Sequence, residues 1–309
     1  MIIQPVVQPS YASAAVGDRE VSDASWRDYW AMTKPEVNVL VAITTATAFC
    51  LAARAEPGAL PWTRLVQTFV GTVLAASGAA TLNQWMEYPF DARMRRTARR
   101  AIAAGRIEPT HALMFGVALS LTGVAWLAMT VNPFASAVTI VTLVGYLLIY
   151  TPLKRYSALC TAIGAIPGAL PPLIGWAAAR GHLDDPAWAL FAIVFLWQFP
   201  HFMAIAWMYR DDYDRAGYKV LPRGDWRSGF VSVHTLLPLL VLPSVSLVPA
   251  LTDGTSIVYR IGAVLLGLGF FHYAVRFALH KSGSTARQLL VASVIYLPSL
   301  FALMIVSRG

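Results

Sequence analysis

Asn83, Glu87 and Asp91 recur at four-residue intervals within the stretch NQWMEYPFDARMRRTARRAIAAGR, residues 83–106. On a helix that spacing puts three oxygen-bearing side chains on one face, a turn apart. Arg93, Arg95, Arg96, Arg99, Arg100 and Arg106 follow closely. Acids beside a dense guanidinium cluster suit one task well. The acids hold a hard divalent cation such as Mg²⁺ through oxygen, and the cation and arginines together hold phosphate oxygens. A loop facing the cytoplasm would account for the arginines alone. It does not account for Asn83, Glu87 and Asp91 at a membrane boundary. Pro89, between Glu87 and Asp91, predicts a break or kink in the helix there.

The elements that must position these residues are membrane spans. The 309-residue chain is 57% hydrophobic and only 13% charged, with a mean hydropathy of +0.57. Soluble domains carry about 25% charged residues. Runs long enough to cross a bilayer fall at roughly 36–53, 65–86, 109–130, 133–150, 159–178, 187–208, 230–250, 257–278 and 287–306. The expected fold is therefore all-α, a polytopic membrane protein of about nine transmembrane helices. We divide it into an N-terminal tail, residues 1–28, partly disordered, and a transmembrane domain, residues 29–309.

Of the 24 lysines and arginines, all but Arg54, Arg64, Arg180, Arg260 and Arg308 fall on one side of this topology. By the positive-inside rule that side, with the N-terminus, is cytoplasmic, and the C-terminus lies outside. The net charge of +8 is largely this asymmetry and does not indicate nucleic-acid binding. Cys50 and Cys160 fall within apolar runs and read as buried hydrophobes. The first 25 residues lack the pattern of a cleaved signal peptide.

Other stretches on the arginine-rich side carry chemistry. Tyr150, Thr151, Lys154 and Arg155 end the fourth run, and suit either interfacial anchoring or diphosphate capture. The sixth run ends in Trp197-Gln198-Phe199-Pro200-His201-Phe202, followed by Asp211, Asp212 and Asp214 among basic residues. Spans two and six thus end alike, on the same side. His201 lies about 15 Å deeper than Asp211 along a helix, where an ionisable group points to function or to a hydrogen bond with a neighbour. Glu36 and Asn38 at the start of span one read as interfacial or site-facing. Gly164, Pro167, Gly168, Pro171, Pro172 and Gly175 in span five imply close packing or a cavity wall.

Taken together, Asn83, Glu87, Asp91, Met94, Arg96, Thr97, Arg100, Gly105 and Arg106, then Tyr150, Thr151, Lys154 and Arg155, then Gly168-Ala169, Pro171, Gly175-Trp176, Trp197-Gln198, Pro200-His201-Phe202, Asp212-Tyr213, Gly217 and Leu221-Pro222 resemble the protohaem IX farnesyltransferase (haem O synthase) family of UbiA-type intramembrane prenyltransferases. The likeness runs from about residue 28 to 306. It departs at Ala101 and Ala103, where the family usually has prolines, which predicts a less rigid loop. The resemblance implies a UbiA-type helical bundle in the bacterial inner membrane. The bundle would transfer farnesyl from farnesyl diphosphate to a vinyl group of haem b, giving haem O and diphosphate for terminal oxidases. It implies Mg²⁺ as cofactor, with Asn83, Asp91, Asp211 and Asp212 as metal ligands. Asn83, Glu87, Asp91, Asp212, Lys154 and Arg155 would be catalytic, and Arg96, Arg100, Arg106, Tyr150, His201 and Tyr213 would bind substrate, His201 on the haem side. The lipid bilayer, haem b as substrate, and a downstream haem-modifying enzyme or oxidase assembly factor are the expected partners. Two alternatives remain open: a UbiA-type prenyltransferase with an aromatic or quinone-precursor acceptor, and a secondary transporter, whose charges would lie nearer the midplane.

Overall fold

The computed structural model describes residues 24–54, 60–252 and 256–307. Most of the predicted tail, residues 1–23, lies outside the described residues. Every regular element of the described residues is a helix: α1 (Trp26–Met32), α2 (Pro35–Arg54), α3 (Trp62–Asp91), α4 (Pro109–Thr130), α5 (Pro133–Val144), a π-helical turn (Gly145–Tyr150), α6 (Thr151–Leu153), α7 (Cys160–Gly168), α8 (Pro171–Arg180), α9 (Asp185–Met208), α10 (Arg210–Ala216), α11 (Trp226–Thr252), α12 (Ile257–His280) and α13 (Gly283–Val306). Among the described residues, nine helical segments are long and apolar enough to cross a membrane. The protein is a multi-pass integral membrane protein.

Helix starts follow local rules. Pro35, Pro109, Pro133 and Pro171 each open a helix, where the missing N–H costs nothing and φ is already set. Asn132 caps α5 by accepting a hydrogen bond from Ala135 N at 2.8 Å. Pro89 does not break α3. It sits in the last turn, and the helix runs on to Asp91.

Small residues bring α3 against α4. A Cβ on Gly78 would lie 2.2 Å from Ser120 Oγ, and one on Gly123 would lie 2.5 Å from Ala75 N. Such close backbone approach is how helices associate where lipid removes the hydrophobic drive.

Two features depart from nine simple rods. The fifth span is two helices, α7 and α8, interrupted at Ala169-Leu170 before Pro171-Pro172, where prolines remove donors and disfavour the preceding turn. Neighbours supply polar groups at the break: Gln198 Nε2 donates to Ala165 O at 3.1 Å, and Thr45 Oγ1 donates to Pro171 O at 3.2 Å. Of the two readings of this span, both hold. Gly175 packs so closely that a Cβ would fall 2.0 Å from Thr45 O, while Gly164, Gly168 and Pro171 line a cavity. The fourth span ends in the π-helical turn. There Tyr146 and Tyr150 both reach that cavity, with ring centroids 5.4 Å apart.

Candidate functional site

Asn83, Glu87 and Asp91 share the buried face of α3, at 2%, 5% and 1% exposure. Burying acids at a helix end is costly unless each is paired, and each is. Arg100 Nη1 donates to Asp91 Oδ2 at 2.7 Å, and Lys154 forms an ion pair with Glu87. Asn83 Oδ1 accepts from Lys34 Nζ at 3.2 Å, and its Nδ2 donates to Thr151 Oγ1 at 3.1 Å. Burial works against the Lys154 ammonium, but the Glu87 carboxylate outweighs it and raises its pKa. Lys34 goes the other way. Burial, then the charge of Arg100, bring it down to about 7.

The loop after Asp91 folds back on the helix end: Thr97 Oγ1 donates to Asp91 O at 3.0 Å. The second acidic segment joins it. The backbone N–H of Arg96 donates to Asp212 Oδ2 at 3.2 Å, and Arg215, itself ion-paired with Asp212, reaches Arg93 O at 3.3 Å. Asp91 and Arg96 are five residues apart, which caps their separation at about 18 Å even if extended. The third segment completes the cluster: Lys219 N donates to Lys154 O at 2.8 Å, and Arg155 Nη2 donates to Met86 O at 2.9 Å. The connections after the second, fourth and sixth spans therefore converge, as their charge pattern predicts. Aromatic faces hold the cations. Arg155 lies 4.2 Å from the Phe90 ring centroid, Lys154 4.7 Å from that of Tyr150 and Arg96 4.7 Å from that of Tyr209.

Beneath this cluster lies a cavity of about 330 Å³ lined by Lys34, Asn38, Tyr146, Tyr150, Gln198 and His201, among other mainly apolar residues. Asn38 is site-facing and buried, donating to Ser77 Oγ at 2.9 Å, whereas Glu36 is exposed. The His201 ring stacks on Trp197 with centroids 4.7 Å apart. Cluster and cavity together make a charged mouth over an apolar chamber, suited to a molecule with an anionic head and an apolar body.

Two expected site residues stand apart. Asp211 has a side chain 79% exposed and its carboxylate next to Arg210, so it does not join Asp91 and Asp212. Arg106 is held away from the mouth. Its Nε and Nη2 both donate to Asp28 Oδ1, at 3.0 and 2.8 Å, and Nη2 reaches Arg99 O at 3.1 Å. Tyr213 meets Tyr218 edge-on at 6.1 Å, and Asp214 is engaged by Arg227 at 2.8 Å. Lys34 is the residue that motif spacing did not single out. Its backbone has φ 50°, sparsely populated for a non-glycine residue, in the turn that leads into Pro35. Its place directly before that first-turn proline was the available signal.

The arginine loop that carries Ala101 and Ala103 packs on α1. Ala101, Ile102 and Ile107 pack with Met32 of α1. The Asp28–Arg106 pair is the polar clasp of this packing. Burial raises the Asp28 carboxyl, but hydrogen bonds from Arg106 and Ser25 outweigh it and hold it below its ordinary value. The clasp's contribution is thus present above the ordinary carboxylate pKa and is lost as pH falls through the lowered one. We expect Asp28→Asn to speed tryptic cleavage within residues 93–106 about tenfold, because a charged hydrogen bond is worth roughly 1.5 kcal/mol or more. Unchanged digestion of purified protein would show that α1 does not restrain the loop.

A hard cation at the mouth has oxygens available. Asp91 Oδ1 is buried with no hydrogen-bond partner, aligned on α3 with Asn83. Among the described residues no three His, Cys, Asp or Glu side chains form a self-sufficient metal cluster.

Residues 41–300 match the UbiA prenyltransferase family. The chain is 44% identical to "Protoheme IX farnesyltransferase" of Solibacter usitatus (strain Ellin6076) over 91% of its own length and 99% of the relative's. It is 41% identical to the protein of the same name from Koribacter versatilis (strain Ellin345), over 91% and 93% of the two chains. Among solved structures it resembles a digeranylgeranylglyceryl phosphate synthase, with TM-score 0.71 at 15% identity over 91% of this chain and 98% of that one. It also resembles a UbiA homolog from Archaeoglobus fulgidus bound to GPP and Mg²⁺, with TM-score 0.63 at 13% identity over 90% and 99%. The nine-span architecture, the converged acid and arginine segments and these likenesses agree: the chain belongs to the UbiA prenyltransferase family.

Proposed function

We propose that this prenyltransferase moves a farnesyl group from farnesyl diphosphate to the vinyl group of haem b, yielding haem O and diphosphate. The observation that carries the reading is the charged mouth over an apolar chamber, in which Arg96 N–Asp212 and Lys154–Glu87 draw three connections around one point. The relatives' names supply the donor and acceptor.

At the mouth, Lys154, Arg155, Arg96 and Arg100 neutralise the diphosphate. Its prenyl C–O bond breaks with the electron pair leaving on diphosphate oxygen. Asn83, Asp91 and Asp212 would hold Mg²⁺, which would supply further neutralisation of the leaving group. Fixed positive charge at a developing anion is catalysis by electrostatic complementarity. The allylic cation lies among Tyr146, Tyr150 and Phe202, whose faces favour positive charge, away from bulk water. The haem vinyl π electrons form the new C–C bond. A water oxygen then closes the resulting cation and sheds one proton, so farnesyl diphosphate, haem b and water become haem O and protonated diphosphate. His201, which lines the chamber, serves the haem side.

The basic mouth faces the cytoplasm of a bacterial inner membrane, with the C-terminus outside. The product passes to a haem-modifying enzyme or an oxidase assembly factor. The test is diphosphate release by purified protein given farnesyl diphosphate and Mg²⁺. Release is expected with haem b and not with 4-hydroxybenzoate. Release with the hydroxybenzoate alone would move the acceptor to the aromatic class, and no release with any acceptor would sink the reading.

A further inference from the structure

The hydrogen bonds around His201 determine which ring nitrogen carries the proton. Ser293, fully buried on α13, has its Oγ 2.8 Å from His201 Nδ1 and 2.6 Å from the carbonyl oxygen of Leu290. A serine hydroxyl has one proton, and a carbonyl only accepts. Were that proton directed at Nδ1, two lone-pair-bearing oxygens would face each other at 2.6 Å with nothing between them. The proton therefore lies toward Leu290 O, and Oγ accepts from Nδ1–H. A neutral imidazole has a single N–H, so Nε2 is left with its lone pair.

The same residue fixes the ring's surroundings. Trp197 Nε1 donates to Ser293 O at 2.7 Å, and the Trp197 ring stacks on His201 at an interplanar angle of 26°. The side chain of Ser293 thus sets the tautomer, while its backbone holds the indole against which the imidazole lies. His201 lines the chamber, and among the described residues Nε2 has no hydrogen-bond partner.

We propose that Ser293 is a positioning residue: it locks His201 in the Nδ1–H tautomer and so presents the Nε2 lone pair to the acceptor substrate in the chamber. Resting on the function proposed above, that lone pair meets the iron of haem b. An imidazole ligand whose other nitrogen is anchored by a hydrogen bond is the usual arrangement at such metals.

The test has two arms on the full-length purified protein. In the first, ¹⁵N-histidine solid-state NMR reads the tautomer without any haem, the His201 signals being those lost in His201→Ala. Wild type is expected to show Nδ1 protonated and Nε2 bare, Ser293→Ala to lose that preference and Ser293→Thr to keep it. A wild-type His201 protonated on Nε2, or a tautomer indifferent to Ser293→Ala, overturns the proposal. In the second arm, ferric haem b is titrated. Ser293→Ala is expected to weaken its binding about tenfold or more and shift its absorption spectrum, with KM for farnesyl diphosphate unchanged and both effects reversed in Ser293→Thr. A haem affinity and spectrum unmoved by Ser293→Ala but moved by His201→Ala also overturns it. If neither substitution moves them, the haem contact at His201 is what falls, and the NMR arm still decides the tautomer.

Discussion

Asp91→Asn is expected to lower kcat about 10²–10³-fold, the usual cost of removing one preorganised electrostatic group from a reacting centre. The substitution keeps the shape and one acceptor oxygen but removes the charge that Arg100 answers at 2.7 Å. It also replaces the buried, unpartnered Oδ1, the atom best placed to meet a cation. Had Asp91 lain at a wet boundary, as its position at a span end suggests, the fold would be indifferent to the change. At 1% exposure it is not, so thermal stability should fall as well. Single-turnover kinetics in detergent separate the two effects. A folded variant that turns over at the wild-type rate would remove Asp91 from the reaction.

Lys154 carries the second large effect. Its side chain is 11% exposed and that of its partner Glu87 7%, so Lys154→Gln strands a buried carboxylate. Breaking such a pair costs about 3–5 kcal/mol, and loss of the cation beside the diphosphate should lower kcat by a further factor of about 10². The double variant Glu87→Gln/Lys154→Gln distinguishes the roles. It should recover much of the lost melting temperature, because no charge is left unpaired, without recovering turnover. If stability and turnover return together, the pair is structural and the diphosphate is neutralised elsewhere.

The sequence made the spans legible because apolar length is a strong signal, and it made the α3 face legible because a period of four survives to the end of the helix. Pro89 misled because its position counts for more than its presence. In the final turn there is little helix beyond it to disrupt. The interruption at Ala169-Leu170 was visible as a run of glycines and prolines, but not as two helices. Whether a helix survives such residues depends on whether a neighbour such as Gln198 supplies a donor. The π-helical turn at Tyr146 and Tyr150 left no compositional trace. Pairings across the fold were the least legible. Lys34 meets Asn83 across 49 residues, Arg106 meets Asp28 across 78 and His201 meets Ser293 across 92. For this reason Arg106 reads as one more phosphate ligand in sequence and proves to be a clasp in the structure. Asp211, likewise, is one residue from Asp212, yet a helix places consecutive side chains about 100° apart, and only Asp212 turns inward.

The central claim is that a farnesyl cation generated at the charged mouth is captured by a haem vinyl group in the chamber below. Mass spectrometry of the product tests it most directly, after incubation of the purified protein with haem b, farnesyl diphosphate and Mg²⁺ in ¹⁸O-labelled water. The account predicts a haem that has gained one farnesyl group and one labelled hydroxyl, formed by the wild type and about 10²–10³-fold more slowly by Asp91→Asn. Unmodified haem accompanied only by labelled farnesol would contradict it, because the mouth would then ionise the donor without delivering the cation to haem.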